Sequence, residues 1–134
     1  MIAVDTSALV AIILNEPERE AFLACIESEG PALISACNLV EARMVAHGRG
    51  GEKLVALFDA LATALDLQVW QVGASEAAAA HSAFIRYGKG SGHPAQLNFG
   101  DLFSYAVAKV HDVPLLFKGD DFVHTDIAPA YTRA

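Results

Sequence analysis

Five acidic residues stand where a carboxylate can do chemistry: Asp5, Glu41, Asp101 and the adjacent pair Asp120 and Asp121. Asp5 closes the short apolar run Ile2-Ala3-Val4. Glu41 shares a helical face with Cys37, Asn38, Met44 and Val45, an apolar setting in which a lone carboxylate is costly unless paired or coordinated. Asp101 follows Asn98 by three residues at the start of an apolar helical stretch, and Asp120 and Asp121 follow the run Leu115-Leu116-Phe117. Each has an ordinary explanation when taken singly. Asp5 can cap a helix, Glu41 can reach solvent from an edge, Asp101 can favour a helix dipole, and Asp120 and Asp121 suit a turn. Taken together they suggest one site. Several carboxylates brought close cannot all stay ionised without a cation, because each raises the pKa of the others. A hard divalent ion, Mg²⁺ or Mn²⁺, resolves that conflict with oxygen ligands. The five histidines show no H-x-x-x-H spacing and no pairing with cysteine, which argues against zinc. There is no G-x-x-x-x-G-K-[ST] loop for nucleoside triphosphates and no G-x-S-x-G elbow.

The elements that must position these acids are legible in outline. Residues 2–4 and 32–35 read as buried strands, with helices over 7–15 and from Pro17 to 29 before the Gly30-Pro31 turn. A helix over 36–47 breaks at 48–51, and another follows over 52–65. A strand at 67–72, an alanine-rich helix at 75–86, a Gly/Pro loop at 87–97, a helix at 98–111 and a strand at 114–117 complete the series. A last short strand is expected near 125–128. Strands that alternate with helices and consist of short apolar runs predict an α/β domain whose central, largely parallel sheet is covered on both faces. Sheets of that kind carry their sites beyond the carboxyl ends of the strands.

With 134 residues and 54% apolar composition, one domain spanning 1–134 with a substantial core is expected. No uninterrupted apolar stretch is long enough for a membrane span, and no signal peptide is recognised. Cys25 and Cys37 form no C-x-x-C pair and read as reduced thiols, which suits the cytoplasm. The formal charge of −7 argues against nucleic-acid binding through bulk charge and suits a basic protein partner. Action on RNA would therefore need metal ions to offset the acids locally.

The conjunction of four segments resembles the PIN-domain family. Ile2-Ala3-Val4-Asp5-Thr6-Ser7-Ala8-Leu9 resembles its opening, and Asn38-Leu39-Val40-Glu41-Ala42 its second acidic motif. Leu97-Asn98-Phe99-Gly100-Asp101 with Ser104-Tyr105-Ala106 resembles the third, and Leu115 through Phe122 the fourth. The similarity runs through the whole chain in order, and at this size it is similar to the VapC toxins of bacterial toxin–antitoxin pairs. That resemblance implies a parallel sheet of about five strands flanked by helices. It also implies a Mg²⁺-dependent endoribonuclease (Mn²⁺ substituting), often acting on structured RNA such as tRNA. Dimerisation and inhibition by a cognate VapB-like antitoxin follow from it as well.

The family's acids fall on Asp5, Glu41 and Asp101, with Asp5 and Asp101 as the principal metal ligands. The fourth falls on the Asp120-Asp121 pair, because the usual position is occupied here by Gly119. Asp120 is taken as the site acid and Asp121 as structural or auxiliary. Ser7 would support Asp5 or a metal-bound water, or simply cap the helix. Arg43, Arg86 and Lys89, with Arg49 and His93, are the cations available for RNA. Hydrolysis by activated water would leave a 3′-hydroxyl and a 5′-phosphate. The rival readings are a non-catalytic PIN-like module that binds RNA or a partner, a phosphatase of similar topology, and a nuclease directed at DNA. For the phosphatase, Ser7 stands where a second Asp is wanted.

Overall fold

In the computed structural model, residues 1–132 are described. The chain runs β1 (Ile2–Val4), α1 (Thr6–Ile13), α2 (Arg19–Glu29), β2 (Ala32–Ser35), α3 (Ala36–Ala64), β3 (Gln68–Trp70), α4 (Ala74–Tyr87), α5 (Phe99–His111) and β4 (Leu115–Leu116). The four strands form one sheet in the order β3-β2-β1-β4, and every pairing is parallel. The expected fifth strand is reduced to a single bridge. Pro129 pairs with Leu115, framed by Leu115 N–H to Ala128 O and Ala130 N–H to Leu115 O.

Strand alternation divides the interior in two. Ile2, Val4, Ala32, Ile34 and Leu116 pack with α1, α2 and α3 around Leu9, Ile12, Phe22 and Phe58. Ala3, Leu33 and Leu115 point the other way, onto Ala83, Tyr87, Tyr105, Val107 and Phe122 of α4, α5 and the C-terminal turns. Both faces of β1, β2 and β4 are therefore covered, as near-continuous apolar strands require, whereas β3 is an exposed edge strand.

The break expected at 48–51 is a kink within α3. Gly51 alone leaves helical geometry, at φ +67°, so the two expected helices join without a loop. The cysteines are free, Cys25 buried and Cys37 half-buried. Among the described residues, no helix is long and apolar enough to cross a membrane.

Strand order reverses at β1: the chain crosses to β2 on one side, and β4 lies on the other. That switch point opens a crevice beyond the carboxyl end of β1, where Asp5 sits.

Candidate active site

Asp5 does two jobs. Its Oδ2 accepts the Ser7 N–H at 3.0 Å and caps α1. Its Oδ1 accepts the hydroxyl of Ser104, which comes from the buried face of α5, ninety-nine residues away. Only 4% of Asp5 is exposed. Burial pushes its pKa up. The hydrogen bonds from Ser104 and Ser7 pull it back in part, and the charge of Glu41 raises it further. The Ser7 hydroxyl accepts the Lys118 N–H at 3.0 Å, tying α1 to the segment after β4.

Asp101 is likewise a cap. Asn98 and Asp101 form a reciprocal capping box at the start of α5, each side chain accepting the other's backbone N–H at 3.0 Å. Burial, with the neighbouring carboxylates of Asp5 and Asp121, pushes its pKa up to about 7.

Glu41 reaches the same place from α3. Its carboxylate lies against the Cα of Gly100, where a Cβ would come within 2.7 Å of its Cδ. Asn38, one helical turn before it and fully buried, donates from Nδ2 to Gly100 O at 3.0 Å and to Glu41 Oε1 at 3.4 Å. That orientation is fixed, because a flipped amide would set its oxygen against two acceptors. It leaves Asn38 Oδ1 buried without a donor. Electrostatic coupling therefore links Glu41 to Asp5, Asp5 to Asp101, and Asp101 to Asp121.

Of the remaining expected site residues, Asp120 is exposed and lines a cleft beside Asp121 without joining that coupled set. The structure thus places Asp121, and not Asp120, against Asp101. The φ of +101° at Gly119 starts the turn that presents the pair. Arg43 is tied to Asp59 at 2.6 Å, and Arg86 lies 3.8 Å from Asp126 with its guanidinium over the Tyr87 ring. Lys89 lines the cleft that holds Asp120 and Asp121.

Ser104, Asn38 and Gly100 are site residues that the acid pattern did not single out. Ser104 and Asn38 lie three residues from Asp101 and Glu41, on the same helical faces, and that spacing and their place in the family-like segments were their signals in the sequence.

Whether these residues suit a divalent ion is a question of donor chemistry. Among the described residues, no three His, Cys, Asp or Glu side chains stand together around one point. Yet a buried Asp5 without a cationic partner and an Asp101 that holds its proton to about pH 7 are carboxylates lacking a counter-charge. All-oxygen donors of this kind fit Mg²⁺ or Mn²⁺. A consequence is measurable without the ion. The folded state keeps the Asp101 proton up to about pH 7, whereas the unfolded chain releases it near pH 4, so the native state loses stability as pH rises through that window. In EDTA, the melting temperature should fall more between about pH 5.5 and 8 for the native chain than for Asp101→Asn. Equal slopes in the two proteins would contradict the assignment.

The PIN-domain family model matches residues 2–128. Over 129 residues the chain is 45% identical to the ribonuclease VapC42 of Mycobacterium tuberculosis, covering 96% of this chain and 98% of that protein. The chain belongs to the PIN-domain family, in its VapC branch. Two solved structures share the fold of this PIN domain. Mycobacterium tuberculosis VapC20, a toxin that cleaves the sarcin–ricin loop, superposes with a TM-score of 0.73 at 20% identity, covering 96% of this chain and all of that one. A toxin–antitoxin complex from Klebsiella pneumoniae superposes at 0.70 and 18% identity, with 98% of each chain covered.

Proposed function

We propose that this PIN domain is a toxin ribonuclease that hydrolyses RNA phosphodiesters at the Asp5–Glu41–Asp101–Asp121 cluster with Mg²⁺, or Mn²⁺ in its place. The observation that carries the reading is the pairwise electrostatic chain of four carboxylates from β1, α3, α5 and the turn after β4, running Glu41 to Asp5 to Asp101 to Asp121, two of them with pKa values raised chiefly by burial. Asp5 and Asp101 would hold the ion, with Glu41 and Asp121 completing its surroundings; Asp120 remains the alternative fourth acid. When bound, the ion supplies charge neutralisation at the phosphate and acidifies water.

The protein's own part is positioning and proton transfer. Ser104 and the Ser7 N–H hold both oxygens of Asp5, so its carboxylate cannot swing away. Asn98 and the first turn of α5 hold one oxygen of Asp101 and leave the other side of the carboxyl to Asp121. With the ion held by Asp5 and Asp101, a neighbouring carboxylate, Glu41 or Asp121, would accept the proton of the attacking water. Hydrolysis of this kind leaves a 3′-hydroxyl and a 5′-phosphate.

The substrate class we propose is structured RNA, tRNA among it. The partners are a cognate antitoxin and a second copy of the chain. Exposed Val40, Met44 and Phe99, with Phe103 beside Glu41, line an apolar groove of about 900 Å³ that supports such a covering partner. The test is incubation of purified, antitoxin-free protein with a tRNA pool and a sarcin–ricin stem-loop in Mg²⁺, Mn²⁺ or EDTA, beside Asp5→Ala. Metal-dependent cleavage lost in the variant is expected, with 5′-phosphate ends. Absence of cleavage by folded protein would favour a binding module, and 2′,3′-cyclic phosphate ends would overturn the hydrolytic mechanism.

A further inference from the structure

We infer that the polar cleft between the 88–97 loop and the turn after β4 is a second RNA-binding subsite, in which Lys89 and His124 hold a backbone phosphate neighbouring the one that is cut. This rests on the ribonuclease reading and adds to it a direction in which the RNA leaves the acids. The cleft, of about 390 Å³, is lined by Lys89, Gln96, Asn98, Asp120, Asp121 and His124. It is continuous with the site through Asn98, whose Oδ1 accepts the Asp101 N–H at 3.0 Å, and through Asp121, whose charge acts on Asp101.

The choice of Lys89 follows from a census of cations. Among the described Lys and Arg side chains, Arg43, Arg86, Lys109 and Lys118 are each within ion-pair distance of a carboxylate. Arg19 donates to Ile12 O. Arg49, Lys53 and Lys89 have no acidic partner in this set, and of these only Lys89 lines a cleft containing a site acid. In a chain of formal charge −7, one uncommitted cation beside the acids is where a phosphate gains most.

Both walls are built rather than slack. Lys89 stands at the closed base of its loop: Lys89 N–H donates to Leu97 O at 2.9 Å and Leu97 N–H to Tyr87 O at 2.8 Å. Farther along the loop, the His93 ring packs edge-on against Tyr87 and accepts the Ala95 N–H at 3.1 Å. On the opposite wall, the turn carrying His124 is anchored by buried Phe122 against Phe117, and the Thr125 hydroxyl donates to Phe122 O at 2.8 Å. A preformed cleft orders few groups on binding, so little affinity is lost to immobilisation. Asp120 and Asp121 in the same cleft repel a phosphate, so among the lining residues the Lys89 ammonium is the group whose fixed positive charge can hold one there.

The test is direct binding of a fluorescein-labelled, mixed-sequence RNA 12-mer by anisotropy in EDTA, over a series of salt concentrations. Lys89→Gln is expected to weaken binding about fivefold and to flatten the salt dependence by about 0.7 in log–log slope. His124→Ala should weaken binding by a smaller factor, Lys89→Arg should restore it, and Lys53→Gln, an equally uncommitted cation away from the cleft, should leave it unchanged. Unchanged affinity in Lys89→Gln, or equal losses in Lys89→Gln and Lys53→Gln, would overturn the subsite. Cleavage with Mg²⁺ alongside a silent Lys89→Gln would leave the nuclease standing and remove the cleft. Lys89-dependent binding without cleavage in any ion would do the reverse.

Discussion

Asp5→Asn should yield a protein that resists unfolding better than the native chain in EDTA and yet does not cut RNA. The two effects share one cause. Asp5 is buried at 4% exposure with no ion-pair partner among the described residues, and burial is the largest influence raising its pKa. Ionising it in the metal-free fold is therefore unfavourable. Asparagine keeps the geometry: its oxygen accepts the Ser7 N–H, and its amide donates to the Ser104 oxygen, whose hydroxyl can rotate. Removing a buried, uncompensated charge in this way should gain on the order of 1–3 kcal/mol. The gain should grow with pH, because a raised carboxylate pKa contributes stability at low pH that is lost as the group ionises. Activity should fall by more than the roughly 10–100-fold that losing an outer hydrogen-bond partner costs a metal site. The measurements are urea unfolding at two pH values and cleavage under saturating Mg²⁺. A variant less stable than the native chain in EDTA would show that Asp5 is chiefly a helix cap.

Gly100→Ala should separate stability from activity in the same direction, by a different route. A Cβ at position 100 would stand 2.7 Å from Glu41 Cδ, too close for both to stay. The carboxylate is the end of a flexible side chain, so it can move aside at little cost to the fold. The new alanine would lie in the first turn of α5, where it should add up to about 1 kcal/mol of helix stability. Glu41 would then leave the cluster, and cleavage should fall about 10–100-fold with the melting temperature unchanged or higher. Shortening the acid should undo part of the damage, so the Gly100→Ala, Glu41→Asp double variant should recover activity relative to Gly100→Ala alone. Native-level cleavage by Gly100→Ala would mean that Glu41 acts from another position or not at all.

The alternation of short apolar strands with helices sufficed to name an α/β domain with a parallel sheet, since only strands buried on both faces read as unbroken apolar runs. The same local signals placed Asp5, Glu41 and Asp101 at element ends or on an apolar face. Asp5 and Asp101 both take part in helix capping, and because a cap uses only one oxygen of a carboxylate, that role leaves each free for the proposed site. Tertiary structure alone decided the rest. Which member of the Asp120-Asp121 pair meets Asp101 depends on the turn that Gly119 opens at φ +101°, and a one-residue shift there is invisible to composition. Arg43 and Arg86 looked as available as Lys89 until the fold set Asp59 and Asp126 beside them. The fifth strand shrank to one bridge between Pro129 and Leu115. The contacts that hold the site, Ser104 on Asp5 and Glu41 against Gly100, join residues ninety-nine and fifty-nine positions apart. Local pattern carries the propensity of each segment, whereas the meeting of such distant side chains is settled only by how the helices pack across the sheet.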